Sequence, residues 1–82
     1  MSYSARVNVT LKEGIADPQG QTIERALPAL GYSGVSEVRV GKLIHLQVDA
    51  ASPDDARKKV EEMCLKLLAN PVIESYEVVI GD

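Results

Sequence analysis

Apolar residues alternate at the start of the chain: Tyr3, Ala5, Val7, Val9 and Leu11 fall on one side, and Ser4, Arg6, Asn8, Thr10 and Lys12 on the other. A two-residue period predicts a strand with one buried face over residues 3–11. The period then changes. Asp17 followed by Pro18 carries a helix-start signal, an N-cap carboxylate before a proline whose missing N–H is harmless at the first helical position. Ile23, Ala26, Leu27 and Leu30 follow at helical spacing, and Gly31 can take the left-handed conformation that ends a helix. Pro28 cannot donate to the carbonyl of Glu24 and crowds that turn, so a kink or a loosened last turn is expected.

Residues 35–40 and 43–48 are two β-rich runs separated by Gly41-Lys42, a pair suited to a tight hairpin turn. The parities do not agree in an ideal two-residue hairpin: Val38 and Val40 supply one face of the first run, Ile44, Leu46 and Val48 the core face of the second. A bulge near Gly41 or a longer turn is required to restore the match. The next helix starts at Ser52-Pro53, with Asp54 and Asp55 where the helix dipole favours anions. Ala56, Val60, Met63, Cys64, Leu67 and Leu68 form its predicted buried stripe, and Asp55–Lys59, Lys58–Glu62 and Glu62–Lys66 are charge pairs at four-residue spacing on the other side. Asn70-Pro71 is read as a left-handed stop followed by a breaker, and residues 72–80 as a closing strand with Tyr76, Val78 and Ile80 on one face.

The predicted order is β-α-β-β-α-β. It implies an α+β, two-layer sandwich of the ferredoxin-like split-βαβ type, a four-stranded antiparallel sheet with two helices on one face. With 82 residues there is room for a single domain, residues 1–82. A hydrophobic fraction of 45% and a net charge of -3 argue against disorder. The acidic balance, with no Phe or Trp and three Tyr, also lacks the basic patches and stacking platforms of a nucleic-acid binder. No run is long and apolar enough for a signal peptide or a membrane span, so a cytoplasmic protein with a reduced Cys64 is expected.

One cysteine and one histidine supply neither a disulfide nor a four-ligand zinc site. His45 has no partner nominated by spacing and reads as a solvent-facing strand residue; Cys64 lies within an apolar helical stripe and reads as core. Asp54 and Asp55 are adjacent on a helix and do not face one another, and Arg57-Lys58-Lys59 is answered by Glu61 and Glu62 one turn on. No catalytic, cofactor-binding or metal-ligating residue is assigned. Two segments retain interest as partner-binding candidates: the helix entry with Asp17, Gln19 and Gly20, which could present backbone N–H groups to an anion or partner, and Arg39, Gly41 and Lys42, where two cations flank an expected protruding hairpin tip. Solubility and turn chemistry are the plainer account of the second.

Five motifs occur in order: V-x-V-x-L-K-x-G at residues 7–14, D-P-Q-G at 17–20, A-L-x-x-L-G at 26–31, V-R-V-G-K at 38–42 and N-P-V-I-E-x-Y at 70–76. Together, at this length, they resemble the PurS family, the small subunit of bacterial and archaeal phosphoribosylformylglycinamidine (FGAM) synthase. The resemblance implies a noncatalytic subunit in purine biosynthesis, in the step that converts formylglycinamide ribonucleotide, glutamine and ATP to formylglycinamidine ribonucleotide. It implies a glutaminase subunit and a large synthetase subunit as partners, joined by this chain with assistance to ammonia transfer. ATP and Mg are then used by the synthetase, with no cofactor bound by this chain.

A small-molecule regulatory module of the ACT type shares the same element order, and an acylphosphatase shares the fold but would need an arginine-bearing phosphate loop that is not apparent here. A homodimer is expected from the open sheet edges as well as from the resemblance, with pairing into a dimer of dimers left open. Ile73, Ser75, Glu77 and Val79, with Val35, are the mixed face expected to meet a second copy, the two sheets becoming continuous or nearly so.

Overall fold

The computed structural model describes residues 1–81. The elements are β1 (Ser2–Leu11), α1 (Pro18–Ala26) continued by a 3-10 turn over Leu27–Leu30, β2 (Gly41–Asp49), α2 (Pro53–Met63) continued by a π turn over Cys64–Leu68, and β3 (Glu74–Ile80). Among the described residues the sheet has three strands in the order β2-β1-β3, with β1 antiparallel to both neighbours. α2 connects the two outer strands and crosses the central one. Ala5, Val7 and Val9 of β1 therefore meet Ala56 and Val60 of α2 and Cys64 of the π turn in the core, flanked by Val48 and Val78. A fully buried valine such as Val7 contributes roughly 1.5 to 3 kcal/mol relative to its exposed state.

This sheet corrects the four-stranded expectation. Residues 35–40 do not form a strand, and there is no hairpin at Gly41-Lys42, because both residues open β2 opposite Thr10 and Val9. Glu37, at φ 58°, is in the left-handed region, which breaks an extended run in a non-glycine residue. Downstream of it, the amides of Val38 and Val40 donate to the side chains of Glu24 and Asp17. A sheet ladder is replaced by carboxylates, and the parity conflict between the two β-rich runs disappears because they do not pair with one another.

Both helix starts and the disturbance at Pro28 are as expected. Asp17 and Ser52 are the N-caps, and the α-helix gives way to 3-10 geometry from Leu27, ending at Gly31 with φ 96°. Only α2 lies across the sheet; α1 stands beside its end with Ile23 and Leu30 exposed, so the expectation of two helices covering one face is also corrected. In the π turn that continues α2, Leu67 is 84% exposed, although its spacing assigns it to the buried stripe. Here the Ala69 amide donates to the Cys64 carbonyl five residues back. That wider turn shifts the register, leaving Leu68 packed against the core and Leu67 outside. Nor is Asn70 left-handed: its Oδ1 accepts the Val72 amide and its carbonyl accepts the Ile73 and Glu74 amides, which puts residues 71–73 in a turn and starts the strand at Glu74.

The molecule measures 51 × 26 × 14 Å, with a radius of gyration of 16.3 Å. A compact domain of this length is expected near 12 Å. The excess reflects a chain that does not close around one core. α1 and its 3-10 turn extend their apolar residues away from the sheet that α2 covers.

Candidate functional site

The two segments singled out by sequence, far apart in the chain, meet beside the end of β1. Asp17 joins them. Its Oδ1 accepts the Gly20 amide at 3.0 Å as an N-cap, and its Oδ2 accepts the Val40 amide at 2.7 Å. Two helical turns further along α1, Oε1 of Glu24 accepts the Val38 amide at 3.0 Å. Positions seven apart share a helix face, so the N-cap carboxylate and one carboxylate of α1 together hold the amides of Val38 and Val40.

The close approach makes Gly20 necessary: a β-carbon there would overlap the Val38 carbonyl oxygen and lie 2.8 Å from Asp17 Oδ2. Gly41 is constrained in the same way, since a β-carbon would stand 2.7 Å from the Val9 carbonyl oxygen. Both glycines therefore serve backbone contact first.

Arg39 and Lys42 do not crown a protruding tip. Arg39 Nη2 donates to the carbonyls of Leu11 and Lys12 at 3.3 Å each, and its Nε lies 4.0 Å from Asp17 Oδ2. Lys42 Nζ lies 3.7 Å from Glu74 Oε2. A depression of about 270 Å³ opens between these groups, lined by Leu11, Pro18, Gln19, Lys42 and Glu74.

Asp17 is only 5% exposed. The Gly20 amide, and after it the Val40 amide, hold its carboxyl below the usual carboxylate range, with Arg39 adding to the effect against the opposing desolvation. The arrangement keeps a charged carboxylate at the junction and orders the Val38–Val40 backbone. It brings no nucleophile to a base.

Cys64 is fully buried, and burial, followed by the charge of Glu61, pushes its thiol up, away from the reactive thiolate. His45 is exposed on the sheet face away from α2. Among the described residues no group of three His, Cys, Asp or Glu side chains could hold a metal ion. Sequence reasoning missed Glu24. The available signal was its seven-residue spacing from the N-cap, which places a second acid above Asp17.

The PurS family model, described as phosphoribosylformylglycinamidine (FGAM) synthase, matches residues 4–82. The chain belongs to the PurS family. The Methanocaldococcus jannaschii FGAM synthase subunit PurS is 46% identical over 76 residues, covering 93% of this chain and 92% of that protein. The Bacillus subtilis subunit PurS is 46% identical over 74 residues, 90% and 87% of the two chains. The crystal structure of M. jannaschii PurS superposes with a TM-score of 0.87 at 44% identity, covering 98% and 96%. A chain of the Thermotoga maritima PurLQS structure gives 0.89 at 37% identity, covering 99% of both. The expectation of a PurS-type subunit of FGAM synthase in purine biosynthesis therefore holds, and the ACT-type reading falls away. Among the described residues no helix is long and apolar enough to cross a membrane.

Proposed function

We propose that the chain acts in the cytoplasm as the noncatalytic assembly subunit of FGAM synthase, a homodimer that joins a glutaminase subunit to the large synthetase subunit and assists ammonia transfer between them. ATP and Mg belong to the synthetase, and this chain binds no cofactor. The observation that carries the reading is the end-to-end likeness to a chain of the PurLQS structure. Self-association is supported by the shape. The elongated chain leaves Ile23, Leu30, Tyr32 and Val35 exposed on its projecting arm. The open sheet face, by contrast, is mostly polar, with Arg6, Asn8, His45, Gln47 and Glu77 on it, and Ile73 lies in the turn before β3. The apolar surface expected to meet a second copy is therefore the arm and not the sheet.

Partner docking is assigned to the junction, through Asp17, Gln19, Gly20, Arg39, Gly41 and Lys42. Clamping the Val38–Val40 backbone leaves less conformational entropy to lose on binding. Co-purification of tagged protein with the glutaminase and synthetase subunits, parent against the double variant Arg39→Ala and Lys42→Ala, tests it. Reduced recovery of either subunit with unchanged sedimentation supports docking; equal recovery of both removes the junction from the interface. Failure of the parent to recover either subunit would overturn the assembly role itself.

A further inference from the structure

On the sheet face that α2 leaves open, Arg6 of β1 and His45 of β2 stand directly opposite one another in the antiparallel register. Side chains at such a pair lie about 5 Å apart at their β-carbons, so two nitrogen-rich groups share one surface spot. Both residues are exposed, and neither side chain makes a hydrogen bond or ion pair among the described residues. Arg39 and Arg57, by comparison, donate to backbone carbonyls.

Next to the pair is a depression of about 460 Å³, lined by Ser4, Arg6, His45, Gln47, Val79 and Gly81. Among the described residues no acidic side chain lines it. Of the two acids on the same face, Glu77 accepts from Asn8 Nδ2 at 3.2 Å, and Asp49 stands at the far end of β2, opposite Ser2. Gln47 is oriented as well: the Ser2 hydroxyl donates to its Oε1 at 3.1 Å, which engages the acceptor end of the amide and leaves the Nε2 donors.

We propose that Arg6, His45 and Gln47 form a binding site for the phosphoryl group of a small anionic ligand on the open face of the sheet. The guanidinium offers a planar fork of N–H donors matched to two phosphate oxygens, the imidazole and the amide offer further donors from the next strand, and Val79 walls one side. The space exceeds that of a bare carboxylate and falls in the range of small-ligand clefts. In a chain of net charge -3, an arginine without a carboxylate partner among the described residues is a local reversal of sign. The proposal does not depend on the assembly role, because it uses neither the junction nor the arm.

Titration of the ¹⁵N-labelled full chain with sodium phosphate, at ionic strength held constant with sodium chloride, tests it. Saturable amide shifts centred on Arg6, His45 and Gln47 are expected, with acetate binding several-fold more weakly. Arg6→Gln should weaken phosphate binding by about tenfold, loss of a charge-assisted bidentate contact. Arg6→Lys, which keeps the charge but not the fork, should fall between. Both variants sit on exposed positions and should retain the parent amide spectrum elsewhere. Shifts that do not saturate, acetate binding as tight as phosphate, or an unchanged Arg6→Gln titration would each overturn the proposal.

Discussion

Val40 donates its amide hydrogen to Asp17 Oδ2 at 2.7 Å across 23 positions of sequence, and the same carboxylate caps α1 through Gly20. One side chain thus starts a helix and anchors the segment that leads into β2. The carboxylate must be ionised to accept both amides fully.

Its lowered pKa sets the sign of a pH effect. Above the ordinary aspartate value of about 3.9 the stabilisation is fully present, and it is lost as pH falls through the lower folded-state value. The parent should therefore lose stability on acidification below that point, and Asp17→Asn should flatten this part of the curve. Thermal unfolding followed by circular dichroism from pH 6 down to the acid limit measures both; superimposable curves would remove Asp17 from the acid response.

Gly20→Ala should be destabilising by about 1 to 3 kcal/mol, the usual cost of forcing extra volume into a packed contact. The β-carbon would meet the Val38 carbonyl, so amide exchange should quicken at Val38 and Val40 before it does at Val7. Denaturant unfolding with hydrogen exchange reads both effects, and unchanged exchange at Val38 would contradict the clamp.

Cys64→Ala should lower stability by about 1 to 2 kcal/mol through a small cavity beneath β1 and leave FGAM synthase activity of the reconstituted complex intact. In the folded parent the thiol should react slowly with alkylating reagents, since it is both buried and pushed up. Loss of activity at an unchanged melting temperature would assign the thiol a chemical role.

Ile23→Asp and Leu30→Asp should weaken self-association by at least about tenfold, the effect of burying one uncompensated charge in an apolar contact. Ile23 is 44% and Leu30 70% exposed in the single chain, so the monomer fold should tolerate both changes. Sedimentation equilibrium decides: the parent above its 8.9 kDa monomer mass and the variants shifted toward it. A parent that sediments as a monomer would end the dimer proposal.

What the sequence by itself determined is local or periodic. The alternation of β1, the caps at Asp17 and Ser52, the loosened turn at Pro28 and the burial of Cys64 all follow from groups within a few residues of one another. The family is legible too: the five motifs read along the chain lie within the residues 4–82 that the PurS family model matches. Only the tertiary structure decided the fate of residues 35–40. Their composition suits a strand, but strand formation needs a partner for the backbone, and Asp17 and Glu24 supply acceptors from a helix instead. The same holds for Leu67, which fits a 3.6-residue stripe until the π turn shifts the register. Arg39 and Lys42 read as a free cationic tip in sequence because their acceptors, Leu11, Lys12 and Glu74, lie about thirty positions away. Which of several chemically adequate partners a backbone amide or a cation takes depends on what the fold brings within hydrogen-bond distance, and that choice is made between elements rather than within them.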